Sequence, residues 1–268
     1  MIRQRVISAL FIALLLVGAV LLLPPAWSAA ALSIVLLAAA WEWSGFLGGR
    51  GITGRAVFLV ATAALCALWW WLSASSASLR MVLWLAALFW CLALLWVFLR
   101  PQWVGRAAVA AAGLLALSLA WLALVRMRLD LEQGGHAVMY ALLIVWLADS
   151  GAYFAGRAWG VRKLAPAVSP GKTWAGLWGG LAACAMLAAL ISLLADVPLG
   201  ALLPVTLVVG LFSVVGDLTE SLCKRFAGLK DSGSLIPGHG GVLDRFDSLL
   251  AAAPLLLLGV ELLPALQG

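Results

Sequence analysis

The segment from Ser221 to Asp247, SLCKRFAGLKDSGSLIPGHGGVLDRFD, gathers ionisable groups that the rest of the chain avoids. Asp, Glu, Lys and Arg make up 10% of the 268 residues, yet this stretch holds Lys224, Arg225, Lys230, Asp231, Asp244, Arg245 and Asp247. Carboxylates interleaved with bases, beside a glycine-rich turn with a histidine, suit a site that holds a metal ion and polyanionic phosphates. Just upstream, SVVGDLTESLCKR spaces Asp217, Ser221 and Lys224 so that on a helix an acid, a hydroxyl and a base share one face, with Glu220 close to it. Asp244 and Asp247 share a face at the start of the following apolar run. A charged helix cap with Arg245 snorkelling accounts for one acid there. It does not account for acids on both helices flanking the loop. Between them, Ile236-Pro237-Gly238-His239-Gly240-Gly241 fits a tight loop whose backbone approaches a ligand. His239 is either a phosphate donor or a solvated loop histidine.

Two earlier stretches carry similar chemistry. WLADSGAYFAGRAWG sets Asp149 and Ser150 within an apolar run, where a carboxylate is costly without a partner or a water-filled cavity. Gly151, Gly156 and Gly160 lie on nearby turns and would let another helix approach closely. The alternative for Asp149 is a packing seam, with the carboxylate bonded to a neighbouring backbone group or base. In the following VRKLAPAVSPGKTWAG, Pro170 and Gly171 predict a turn, and Lys172 and Thr173 open the next helix with Thr173 as its cap. A base, the hydroxyls of Ser169 and Thr173 and free amides at a helix N-terminus form a phosphate cradle. The upstream glycine of a P-loop is missing. Taken alone the stretch is an ordinary capped turn with a topology-setting lysine; it gains weight by sharing a membrane face with the C-terminal cluster.

The elements that must position these groups are membrane helices. A chain that is 65% hydrophobic, with a mean hydropathy of +1.12, cannot cover itself with polar surface. Its apolar runs reach the about 20 residues that a helical span needs. We read about nine: 6–23, 27–47, 56–72, 80–99, 107–125, 137–156, 174–194, 201–219 and 248–265. With the N-terminus inside, the inner side receives Arg3, Arg5, Arg50, Arg55, Arg100, Arg106, Arg157, Arg162, Lys163, Lys172, Lys224, Arg225, Lys230 and Arg245, and the outer side only Arg80, Arg126 and Arg128. That bias predicts a cytoplasmic N-terminus, an outer C-terminus and a cytoplasmic final loop. The net charge of +6 is spread over short loops, which fits topology and anionic lipid rather than nucleic acid. Trp27, Trp41, Trp43, Trp69 to Trp71 and Trp103 read as interfacial anchors, Trp84 and Trp90 as packing. The first apolar run is too long for a cleaved signal peptide and is read as a retained span. Cys66, Cys91, Cys184 and Cys223 lack paired ligand spacing, so neither zinc nor a disulfide framework is expected.

The expected organisation is one all-α polytopic membrane domain over 1–268. Residues 1–125 form structural spans and 137–265 the catalytic spans and loops. Glu42 is the only acid in the first part, and an intramembrane acid is a functional candidate. Its place near the cytoplasmic end favours a structural role, reaching water or an arginine such as Arg50. No internal repeat is evident.

The run Ser221-x-x-Lys224-Arg225, then Lys230-Asp231-Ser232-Gly233, Pro237-Gly238-His239-Gly240-Gly241 and Asp244-Arg245-x-Asp247 resembles the signature of phosphatidate cytidylyltransferases, the CDP-diacylglycerol synthases. Asp149 to Arg157, and Ser169-Pro170 with Lys172-Thr173-Trp174 and Gly176, are similar to that family's other recurrent segments. The resemblance covers about 145–255. Ala175 departs from it, since many members carry an acid after the tryptophan. The resemblance implies transfer of the cytidylyl group of CTP to phosphatidic acid, giving CDP-diacylglycerol and pyrophosphate for phospholipid synthesis at the cytoplasmic face of the inner membrane. It implies Mg²⁺, with Asp217 and Asp244 as principal carboxylates and Asp149, Glu220 or Asp247 completing the shell; a second cation stays open. Lys172, Lys224, Arg225, Lys230 and Arg245 would share the triphosphate and the lipid phosphate. Ser169, Thr173 and Ser221 would supply hydroxyls, and Asp231, His239, Gly240 and Gly241 would line the substrates. Membrane lipids are the expected surroundings, and self-association stays open. The alternatives are a CTP-dependent lipid kinase and an anionic-substrate transporter; the second would need polar residues near mid-membrane on several helices, whereas these crowd one face.

Overall fold

In a bilayer a helix satisfies its own backbone hydrogen bonds, so long apolar runs fold as helices. The structure, a computed structural model, describes residues 14–48, 51–233 and 240–266. Arg3, Arg5, Arg50 and the loop residues Ile236, Pro237, Gly238 and His239 lie outside the described residues. A helical segment at 14–21 (α1) leads to α2 (Pro25–Ser44), α3 (Ile52–Leu72), α4 (Ser76–Leu99), α5 (Arg106–Asp130), α6 (Gly134–Trp159), α7 (Trp174–Ala195), α8 (Leu199–Phe226) and α9 (Leu243–Leu262). Among the described residues seven helices, α2 to α8, are long and apolar enough to cross a membrane. The chain is an α-helical integral membrane protein.

Helix α9 differs because charge sits at both ends, with Asp244, Arg245 and Asp247 in its first turns and Glu261 in its last. Between them every residue from Ser248 to Leu258 is buried. This helix packs against α2, α4, α5, α6 and α8 and is the axis of the bundle. Its Leu249, Ala252, Ala253 and Leu256 share one core cluster with Leu83 of α4, Leu119 of α5, Leu142 of α6 and Val209 of α8. Small residues along α9 let five helices reach it.

The helices run past the apolar stretches that predict them. Helix α8 continues to Phe226 and α5 to Asp130, and α9 begins at Leu243. Hydropathy marks what lies in lipid, whereas the hydrogen-bonded ladder continues until a cap or turn stops it. The three bases assigned to the outer side share one end of the bundle. Arg126 donates to the Ser73 carbonyl (2.9 Å), Arg128 to the Leu23 carbonyl (2.8 Å), and Arg80 lies 3.8 Å from Glu261.

The expectations for the turn before α7 and for two tryptophans are corrected. The stretch after α6 forms a short two-stranded antiparallel hairpin, β1 (Lys163–Ala165) and β2 (Ser169–Thr173), within an otherwise all-α fold. Pro170 and Gly171 lie in β2, and the turn falls at 166–168. Lys172 is also in the strand; Trp174 opens α7, capped by Thr173, whose Oγ1 accepts from the Gly176 amide at 3.1 Å. Trp43 is no interfacial anchor: it is buried and donates from Nε1 to the Val109 carbonyl at 3.0 Å. Trp90 packs in the core as expected, but Trp84 faces outward.

Candidate active site

The C-terminal end of α8 places Asp217, Glu220, Ser221 and Lys224 on adjoining turns, as their spacing requires. Ser221 donates to Asp217 Oδ1 at 3.2 Å. From the hairpin, Lys172 Nζ reaches Asp217 Oδ2 at 2.6 Å. Lys224 Nζ sits between two acids, 2.5 Å from Glu220 Oε2 and 2.7 Å from Asp244 Oδ1. Asp244 comes from the first turn of α9, and its Oδ2 accepts the amides of Ser232 and Gly241, each at 2.9 Å. It lies ahead of the apolar stretch that starts at Ser248. Burial works to raise its carboxyl, but the Lys224 ammonium and the two amides hold it below the usual carboxylate range. Asp247, one turn on, accepts from the Ser248 amide at 2.6 Å and faces Asp217 and Glu220.

Asp149 reaches the same region from α6, with Lys172 and Asp217 as charged neighbours. It opens into a cavity of about 370 Å³ bounded by α6, the hairpin, α7 and α8. Its lining combines polar Asp149, Tyr153, Arg157, Lys172 and Thr173 with apolar Leu164, Leu177 and Val214. Arg157 donates to the Tyr153 hydroxyl at 3.0 Å. Lys172 lines the cavity and also holds Asp217, so it joins the cavity to the acid cluster. Tyr153 and Arg157 were not singled out as site residues, although Asp149, Tyr153 and Arg157 follow at intervals of four and so share a helix face.

The glycine seam is as expected, and its partner is α7. A side chain at Gly151 would come within 2.6 Å of the Gly179 carbonyl, and one at Gly180 within 2.7 Å of the Ala148 carbonyl. Close backbone approach at these positions lets Asp149 of α6 and Lys172 of the hairpin line one cavity. The packing seam of that reading is present, and Asp149 stands beside it among the lining of the cavity.

The other predicted residues lie on the hairpin, the loop after α8 and the start of α9. Ser169 lies in β2 beside Ala165. Arg225 is exposed and donates to the Leu229 carbonyl at 3.4 Å; Lys230 and Asp231 are exposed in the loop after α8. Arg245 is exposed on the first turn of α9. Gly240 has φ +83°, and a side chain there would come within 2.9 Å of Asp244 Oδ2, so only glycine lets the loop wrap that carboxylate. Glu42 is not turned to water. It is 3% exposed, and its Oε2 accepts from Ser232 Oγ (3.1 Å) and from the Leu243 amide (2.8 Å).

Five carboxylates gather around two lysines, which pair with Asp217, Glu220 and Asp244, and the fully buried Glu220 has an Oε1 with no hydrogen-bond partner among the described residues. With the lysines seated as they are, no three acidic, histidine or cysteine side chains among the described residues close on a single metal position.

Comparison with known proteins gives one consistent answer. The cytidylyltransferase family model matches residues 3–263. The phosphatidate cytidylyltransferase of Pseudomonas aeruginosa is 42% identical over 261 residues, covering 95% of each chain. That of Haemophilus influenzae is 38% identical over 282 residues, covering 95% of this chain and 96% of its own. The Bacillus subtilis enzyme of the same name is 47% identical over 130 residues, 47% of this chain and 48% of its own. A match that runs from the first helices to the last, over a bundle whose acids and lysines meet at one end, has one reading: this chain belongs to the cytidylyltransferase family.

Proposed function

We infer that the protein transfers the cytidylyl group of CTP to phosphatidic acid, giving CDP-diacylglycerol and pyrophosphate. The observation that carries this is the likeness to phosphatidate cytidylyltransferases over 95% of the chain. The site's chemistry supports it. A phosphate oxygen of the lipid attacks the α-phosphorus of CTP, a new P–O bond forms, and the bond from that phosphorus to the oxygen it shares with the β-phosphorus breaks in line. The lipid phosphate is already anionic near neutral pH, so no strong base is needed. What the reaction needs is positive charge on nucleophile, centre and leaving group.

Lys172 would meet the reacting phosphates, a role supported by its position where the cavity meets the acid cluster. Lys224 holds Glu220 and Asp244 in register and would turn to phosphate as substrate arrives. Arg245, Arg225 and Lys230, at the mouth of the site, would receive the outer phosphates of CTP, with Ser169, Thr173 and Ser221 as hydroxyl donors. The apolar lining of Leu164, Leu177 and Val214 suits the glycerol and first acyl carbons of the lipid. Mg²⁺ would be held by Asp217 and Asp244, with Asp149, Glu220 or Asp247 alongside, and would supply neutralisation of the phosphate charge. We read the chain as crossing the inner membrane about nine times, N-terminus inside, with this end of the bundle at the cytoplasmic face, where CTP and the lipid headgroup meet. The bias of bases toward that end supports this orientation.

Purified protein given labelled CTP and phosphatidic acid, with and without Mg²⁺, tests the reading. CDP-diacylglycerol and pyrophosphate are expected with the metal. Phosphorylated lipid and CDP would mean a lipid kinase, and no lipid product under any divalent cation would reject the assignment.

A further inference from the structure

Glu42 belongs to α2, in the part of the chain that otherwise carries plain apolar helices, yet its carboxylate is spent on the loop that leads into α9. Ser232–Gly233 form one arm of this loop and Gly240–Leu243 the other. Glu42 Oε2 takes the Ser232 hydroxyl from the first arm and the Leu243 amide from the second, across 190 and 201 residues of chain. Asp244 makes a parallel clasp, with Oδ2 on the amides of Ser232 and Gly241. Two carboxylates therefore pin the same two arms, Asp244 from the helix that follows and Glu42 from α2.

Three observations make the Glu42 contact a built one. Helix α9 has no side-chain cap of its own at Val242, and its first amides need acceptors, so a carboxylate from α2 does the work of a cap. Gly233 and Gly241 are glycines for this acid: a Cβ on either would stand 2.7 Å from Glu42 Cδ. Finally, Glu42 Oε1 has no hydrogen-bond partner among the described residues, so the carboxylate carries a burial cost that an apolar side chain of the same size would avoid.

We propose that Glu42 is a positioning residue for cytidylyl transfer. By fixing both arms of the loop it sets the rotation and height of the first turn of α9, and with it Asp244 against Lys224 and Asp247 toward Asp217. The proposal rests on the reaction inferred above. It predicts an effect on kcat, where geometry at the reacting phosphates matters, and little on the KM for CTP, which the outer bases govern.

The test uses the full-length protein in detergent, with turnover per folded molecule and thermal midpoint measured side by side for wild type, Glu42→Met, Glu42→Gln and Ser232→Ala. Glu42→Met keeps the volume and removes the acceptors. Its expected result is a folded protein with a midpoint lowered by the stranded Leu243 amide and Ser232 hydroxyl, a kcat per folded molecule lowered at least about 30-fold, or about 2 kcal/mol, and a KM for CTP within about threefold. Glu42→Gln keeps one oxygen for both donors and should retain kcat within about fivefold. A folded Glu42→Met with wild-type kcat overturns the proposal, as does equal loss in the Gln and Met variants. Should Glu42→Met not fold, Ser232→Ala decides: a severalfold lower kcat at unchanged midpoint supports the clasp, and unchanged kcat overturns it. A wild type that makes no CDP-diacylglycerol would instead reject the reaction.

Discussion

Lys224 is the residue on which the site turns, because one ammonium group serves two carboxylates from two helices. Glu220 is fully buried beside it, so removing the lysine leaves a buried acid without the counter-charge it is paired with. Breaking such a pair costs about 3–5 kcal/mol, whereas replacing both members by apolar groups is close to neutral. Lys224→Met should therefore lower the thermal midpoint strongly, and adding Glu220→Met should restore it in part, since Asp244 keeps its two amides but loses its lysine; neither variant should turn over substrate. Recovery of activity in the double variant would remove Lys224 from the reaction. Asp217→Asn and Asp244→Asn, made separately, should each reduce turnover by two orders of magnitude or more, about 3 kcal/mol. Near-wild-type turnover in either would take that residue out of the site. The Asp217, Ser221, Lys224 face was legible because helical periodicity is local. The partner of Asp217 was not, since Lys172 arrives from a hairpin whose place over α8 no spacing encodes.

Helix α7 and the hairpin before it show how an element can be read correctly at one end and wrongly at the other. Thr173 caps α7 as predicted because a hydroxyl just before a helical run has one ready use, the amide three residues on. Pro170-Gly171 predicts a turn, but in a two-stranded hairpin both strands are edges, and an edge tolerates the missing proline donor. Thr173→Val should cost about 1 kcal/mol through the lost cap. The seam between α6 and α7 is tighter. Valine at Gly180 would press on the Ala148 carbonyl, where a Cβ stands 2.7 Å away. Gly180→Val should part the helices, separate Asp149 from Lys172 and lower both midpoint and turnover. A Gly180→Val enzyme of normal activity would show that the seam does not set the cavity.

Across the whole molecule, alternating helices sort the charges to two ends. Arg80, Arg126 and Arg128 gather at one, while Glu42, Lys172, Lys224 and Asp244 gather at the other. With the native cysteines replaced, a thiol at Lys230→Cys should react with an impermeant reagent in inverted vesicles but not in intact spheroplasts, and one at Glu132→Cys should do the reverse. The opposite pattern would invert the membrane orientation. Chelation of divalent cations should abolish turnover and Mg²⁺ should restore it, as measured by CDP-diacylglycerol formed. The sequence by itself determined the solvent, the helices and the faces at the helix ends that bear acid and base. All of these follow from hydropathy and periodicity over contiguous residues. Only the tertiary structure decided that Lys172 closes on Asp217, that Lys224 bridges two helices and that Glu42 clasps the final loop. Those contacts depend on the rotation and depth of each helix, which are fixed by the glycine seam of α6 and α7 and by five helices packing on α9, and no local pattern carries that information.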